Sequence, residues 1–168
     1  MDGGVVDSAF VVFAPVELFN LNTLMVTDQV QVFDPVKYTT LGGSASIEQE
    51  YFGPGSAALL LNAAEESATY TLTPGGWPAG KKIKYFLRVL VQAATATTIF
   101  MRTSDKPTVT IPVPVPANTS VLSNIGANLC NFEVSDSKAV TITIGTKGTI
   151  PVYVRSIMIV KDKDVAAA

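Results

Sequence analysis

The hydrophobic and polar positions of this chain alternate with a period of two, most clearly over residues 81–93, KKIKYFLRVLVQA. Ile83, Tyr85, Leu87, Val89, Val91 and Ala93 fall on one side of that stretch, and Lys84, Phe86, Arg88, Leu90 and Gln92 on the other. This pattern suits a strand with one buried face. A helix would set Lys84 and Arg88 beside Leu87 and Val91, and β-branched and aromatic residues dominate the run, so the helical reading fails. Extended, the strand spans roughly 35–40 Å and needs long partners and a second sheet over its apolar side.

The same period predicts the other strands. Residues 46–51 alternate, Gly53-Pro54-Gly55 breaks the chain, and residues 57–61 form a short apolar strand. Residues 69–73 place Tyr70 and Leu72 inward, and a Pro/Gly loop from Pro74 to Gly80 leads into the long strand. Residues 97–103 put Ile99 and Met101 on one side and Thr98, Phe100 and Arg102 on the other, and the link at 94–96 fits a hairpin. Over residues 108–116, Val109, Ile111, Val113 and Val115 alternate with Thr110, Pro112, Pro114 and Pro116. Proline has no N–H for a ladder, so this strand marks a sheet edge or a polyproline stretch, and it guards that edge against another chain. Residues 132–134, 139–144 and 149–160 close the set, with a turn at 145–148. In the last of them Ile150, Val152, Val154, Met158 and Val160 share a face.

About eight strands with regular turn signals, and no amphipathic helix after residue 45, describe an all-β antiparallel sandwich over residues 45–161. Residues 162–168 are a charged, then alanine-rich tail. Residues 1–44 have a different texture, apolar pieces interrupted by Pro15, Pro35, Gly42 and Gly43. They are read as an N-terminal arm or as added strands, with a short helix at 17–25 and a short strand at 29–33 as candidates.

Composition narrows the chemistry. Of 168 residues, 48% are apolar and 15% charged, which places the chain among globular domains with a real core. A net charge of −2, with no basic cluster beyond Lys81, Lys82 and Lys84, argues against a nucleic-acid partner. Histidine is absent, which removes the commonest general base and the commonest transition-metal ligand, and the single Cys130 has no partner for an internal disulfide or a zinc site. No run of alternating acids makes a calcium loop, since Asp105, Asp136, Asp162 and Asp164 are isolated turn or tail acids. No metal or cofactor is therefore expected. The start lacks the positive region of a signal peptide, and no apolar run approaches the roughly 18 residues of a membrane span, so a soluble protein without an export signal or membrane partner is expected.

Several pieces together resemble a known group. Gly55-Ser56-Ala57-Ala58-Leu59-Leu60-Leu61 followed by Thr69-Tyr70-Thr71-Leu72, the strand Gly80-Lys81-Lys82-Ile83-Lys84-Tyr85-Phe86-Leu87-Arg88-Val89 after a Pro/Gly turn, and Val152-Tyr153-Val154-Arg155-Ser156-Ile157-Met158-Ile159 at the end carry the likeness. In this order they resemble the jelly-roll domains of carbohydrate-binding modules of the family 4, 16 and 22 group. The resemblance implies a jelly-roll sandwich and a glycan held by aromatic stacking, for which Trp77, Tyr51, Phe52 and Tyr153 are the candidates. Arg155 stands where many of that group have an aspartate, so their structural calcium does not carry over. In its low charge density, its Thr/Val strands and its apolar leading segment, the chain also resembles the minor structural and decoration proteins of tailed bacteriophage virions.

Two functional expectations follow, neither of them enzymatic. In the first, the domain is a virion structural protein, a capsid decoration or fibre component assembled in the host cytoplasm. Phe10, Val11, Val12, Phe13, Leu18 and Phe19 would bury against other capsid proteins in a homo-oligomer. The alternative is a carbohydrate-binding module that grips a glycan through Trp77, Tyr51 and Tyr153. Glu48 with Glu50, and Glu65 with Glu66, are the acidic pairs with hydrolase-like spacing, and both are read as solvated surface charge.

Overall fold

The computed structural model describes residues 23–26, 31–74, 82–125, 131–135 and 139–165. They form thirteen strands and one 3-10 turn among the described residues. In chain order these are β1 (Thr23–Val26), β2 (Gln31–Phe33), the turn Pro35–Lys37, β3 (Thr40–Gly42), β4 (Ser46–Gln49), β5 (Ala57–Leu61) and β6 (Ser67–Pro74). There follow β7 (Lys82–Ala93), β8 (Thr97–Thr103), β9 (Ile111–Val115), β10 (Asn118–Ile125), β11 (Asn131–Ser135), β12 (Val140–Thr146) and β13 (Val152–Val165). Two sheets face each other as an antiparallel jelly-roll sandwich. One runs β1-β6-β12-β8-β9, with β3 also on β6; the other runs β10-β7-β13-β5-β4, with β11 on β7 and β2 on β13.

The long strand is β7, and its partner is the slightly longer β13, paired antiparallel from Tyr153 opposite Gln92 to Val165 opposite Lys82. Short strands fill the remaining flanks end to end. β5 and β2 share the far side of β13, β10 and β11 share the far side of β7, and β1 and β3 share one side of β6. The β1 pairing is parallel and the others are antiparallel. β1, β2 and β3 thus bring chain from before residue 45 into both sheets as extra strands.

The alternation in β7 does what the sequence asked of it. Leu87, Val89, Val91 and Ala93 are buried while Phe86, Arg88, Leu90 and Gln92 are half-buried on the outer face. They meet Tyr70, Leu72, Ile99, Met101, Ile142 and Ile144 of the other sheet in one continuous core. Each such aliphatic side chain contributes roughly 1.5–3 kcal/mol on full burial. Tyr70 is a fully buried phenol in that core, and its hydroxyl donates to the carbonyl oxygen of Pro35 at 2.8 Å. Asp34 caps the same turn by accepting from the Val36 amide at 3.0 Å. Tyr70 so pins the point where the chain crosses from β2 in one sheet to β3 in the other.

Four expectations need correction. Residues 94–96 do not close a hairpin, because β7 and β8 belong to different sheets and the link crosses between them. Residues Thr23–Val26 are a strand on β6 and not the end of a helix; the remainder of that candidate helix, residues 17–22, lies outside the described residues. Phe100 is buried despite its place among outward residues, because β12 offers Gly145 opposite it and the ring lies where a Cβ would be. In β13 the shared face breaks after Val154. Val154 pairs with Val91 and Ile157 with Val89, so Arg155 is an extra residue in a bulge. Beyond it the buried residues are Ile157 and Ile159, and Met158 turns outward.

Candidate functional site

At the end of the sandwich where the β7–β8 and β12–β13 links lie, the loop between β4 and β5 holds Tyr51. That loop is wound tightly by positive-φ backbone at three positions, two of them glycines. Glu50 has φ 59°, and Gly53 and Gly55 have φ 115° and 76°, a region open to glycine without strain. The Ser56 hydroxyl donates to the Gly53 carbonyl at 2.7 Å and accepts from the Phe52 amide at 3.1 Å, and the Glu50 amide donates to the Ser56 carbonyl at 2.8 Å. Tyr51 and Phe52 are thereby held on a short, braced turn. The ring of Phe52 meets Tyr51 nearly at right angles, with centroids 4.7 Å apart.

Tyr153 comes from β13, on the outer face, opposite Leu60 on one side and Gln92 on the other. Its ring stacks on Tyr51 face to face, with centroids 3.9 Å apart and planes within 5° of parallel. Partial burial, then electrostatic coupling and a side-chain hydrogen bond to Tyr153, raise the Tyr51 phenol above its ordinary pKa. Beside the stacked pair opens a cleft of about 270 Å³, lined further by Gln92, Ala93, Ala94, Thr95, Thr119, Ile150 and Pro151. The Gln92 side chain is oriented by its amide, which donates to the Thr119 carbonyl at 2.7 Å. The lining contains aromatic faces, one amide and two threonines, and no charged side chain. Such a surface offers a flat apolar contact next to neutral hydrogen-bonding groups.

Of the aromatic candidates read from the sequence, Tyr51 and Tyr153 come together here and Phe52 braces them. Trp77 lies outside the described residues, as do Phe10, Val11, Val12, Phe13, Leu18, Phe19 and Cys130. The acidic pairs do not assemble. Glu50 follows the end of β4 in a left-handed turn, so it does not share a strand face with Glu48. Glu66 is not solvated: it is 1% exposed, and its carboxylate accepts from the amides of Asn62 at 2.6 Å and Ala63 at 3.1 Å. This carboxylate closes the β5–β6 turn from inside. Among the described residues no three acids, cysteines or histidines converge. Gln92 was legible only as an outward position of β7, while Thr119 gave no signal, because β10 lacks an alternating pattern.

No protein-family model matches the chain, and no curated protein matches it by sequence. Solved structures do resemble it. A Cry1Da tryptic core variant from Bacillus thuringiensis matches with a TM-score of 0.64 and 17% identity over 83% of this chain. A GH26-CBM35 β-(1,4)-mannanase from Podospora anserina matches at 0.61, with 11% identity over 81%. The CsCBM6-3 domain from Clostridium stercorarium, solved in complex with cellobiose, matches at 0.56, with 16% identity over 83%. This chain covers 25% of the Cry1Da core and 28% of the mannanase, but 98% of CsCBM6-3. The fold is a β-sandwich shared with parts of these structures. At these identities the likeness concerns fold alone, and nothing in it points to a bacteriophage virion.

Proposed function

We propose that the protein is a non-catalytic carbohydrate-binding module that holds a glycan in the cleft beside Tyr51 and Tyr153. The observation that carries this reading is the stacked tyrosine pair, drawn from positions 51 and 153 to one exposed cleft with an oriented Gln92. A sugar ring presents an apolar face of C–H groups ringed by hydroxyls. It is matched by a flat aromatic surface bordered by amide and hydroxyl groups, with no charge to desolvate. The similarity of the whole domain to CsCBM6-3, whose structure holds cellobiose, supports the same class of ligand. The reading as a capsid decoration protein rests on residues 10–19, outside the described part of the chain, and the comparisons lend it no support.

Affinity electrophoresis through a panel of neutral polysaccharides tests the proposal. At least one polymer retards the protein, and Tyr153→Ala or Tyr51→Ala abolishes the retardation while the thermal transition persists. A panel in which no polymer retards the protein, or a Tyr153→Ala variant that is retarded like the native chain, overturns it.

A further inference from the structure

The stacked tyrosines are also two identical redox-active groups held against each other. Their ring centroids lie 3.9 Å apart, their planes are within 5° of parallel, and a side-chain hydrogen bond joins Tyr51 to Tyr153. Parallel rings whose hydroxyls meet lie the same way round. A Cε carbon of one ring, next to the carbon that bears the hydroxyl, therefore faces a Cε carbon of the other. Both rings are held in this position. Phe52 packs at right angles against Tyr51 on a turn fixed by the Ser56 hydroxyl, and Tyr153 sits in a strand paired on both flanks, to Leu60 and to Gln92. Tyr51 is 43% exposed, so an oxidant in solution reaches it, whereas Tyr70 is fully buried with its hydroxyl on the Pro35 carbonyl. Among the described residues no other two tyrosine rings stack.

We infer that this pair is a site of oxidative modification, at which a peroxide-driven one-electron oxidant joins Tyr51 to Tyr153 by a carbon–carbon bond within the chain. Each phenol gives up one electron and its phenolic proton, and the unpaired spin of the resulting phenoxyl radical is shared with its Cε carbons. Two such radicals, face to face, form one Cε–Cε bond. The hydrogen on each joined carbon then moves as a proton to the phenolic oxygen, which restores both rings. Two electrons and two protons leave in all. Hydrogen peroxide takes them up as its oxygen–oxygen bond breaks, giving two waters. Rings already in contact react without a collision between molecules, so the bond inside one chain outpaces a bond between two chains. Tyr51 stands on an exposed turn, which gives its ring room to rotate as the stack becomes a biphenol. The new bond ties the turn between β4 and β5 to β13, so the β4–β5 margin of that sheet is fastened to its middle strand. The inference rests on the geometry of the two rings and not on the reading of the cleft as a glycan site.

The test treats dilute protein with hydrogen peroxide and a haem peroxidase, under conditions that couple free tyrosine. The expected product is a monomer lighter by two hydrogen atoms, with the blue fluorescence of a biphenol, in which peptide mapping finds Tyr51 joined to Tyr153. Tyr51→Phe and Tyr153→Phe keep the rings and remove the hydroxyls, and each reduces the yield to background while the thermal transition persists. Tyr38→Phe leaves the yield unchanged. The inference is overturned if no biphenol forms within the chain, if the joined tyrosines are other ones or belong to two copies, or if either Phe variant at position 51 or 153 gives the native yield. Retardation by polysaccharides is read separately: a chain that cross-links at this pair yet is retarded by no polymer overturns the glycan reading and upholds the oxidative site.

Discussion

Gly145 lies next to the end of β12 with the ring of Phe100 packed over it. A Cβ added there would lie 2.5 Å from Cζ of Phe100 and 2.7 Å from the Glu66 carbonyl oxygen. Backbone cannot yield cheaply, so Gly145→Ala costs about 1–3 kcal/mol, the usual penalty of overpacking. Each kcal/mol appears in a thermal unfolding scan as a fall of roughly 2–4 °C for a domain of this size. Tyr70 makes a different kind of prediction. Its burial, followed by the nearby Asp34 charge, raises its phenol far above the ordinary value of 10.0. Below pH 10 the phenol is protonated in both folded and unfolded chains and stability does not depend on it. Above pH 10 the unfolded chain releases the proton and the folded chain keeps it, so Tyr70 lowers stability by about 1.4 kcal/mol per pH unit. Urea unfolding between pH 9 and 11.5 shows that slope. Tyr70→Phe removes Tyr70's part of it, while lowering stability at neutral pH through the unpartnered Pro35 carbonyl.

Among the elements, β13 shows where reading a period of two stops working. Its early residues Val152 and Val154 were legible as inward because they alternate strictly, as were Ile142 and Ile144 in β12 and the core face of β7. A bulge adds one residue without any mark in the local pattern, and Arg155 is polar enough to pass for an ordinary outward position. The residues that follow it, up to Lys161, change parity, and Ile157 and Ile159 are buried in place of Met158. This yields a paired prediction. Deleting Arg155 leaves Val154 opposite Val91 and Ile157 opposite Val89, so the variant still unfolds cooperatively, within the roughly 0.5–3 kcal/mol of an ordinary mutation. Deleting Thr143, between the regular pairs of β12, turns one half of that strand inside out and abolishes the fold. Circular dichroism melts of the two deletions decide the matter. Tyr51 and Tyr153 were each recognisable as aromatics outside the core pattern. Their contact was not, because it depends on which strands neighbour in space, and the sheet order places β5 and β13 together without regard to their separation in the chain. Glu66 was misread for a similar reason: its partners are the amides of the turn just before it, and a carboxylate capping backbone N–H groups looks in sequence like any surface acid.

In the whole molecule, the tyrosine cleft lies at one end of the sandwich, and β9 lies at the margin of the sheet that holds β6, β12 and β8. Pro112 and Pro114 stand opposite Phe100 and Thr98, and since neither can donate to β8, their nitrogens point away from the ladder toward the open edge. Where another strand would look for N–H donors, this edge offers none at those two positions. Pro112→Thr combined with Pro114→Thr restores both donors, and concentration-dependent association of the double variant, absent from the native chain, is expected in light scattering after size exclusion.

The pairing of β7 with β13 joins residues 82–93 to residues 152–165. During synthesis, β2, β5 and β7 leave the ribosome long before the strand that unites them, and their flanks stay open until translation has passed residue 165. The sandwich therefore waits unassembled until β13 has emerged, and the closing step is long-range. A ribosome stalled just upstream of β13 would present a chain exposed to chaperones and proteases, one that becomes resistant only once that final ribbon is released.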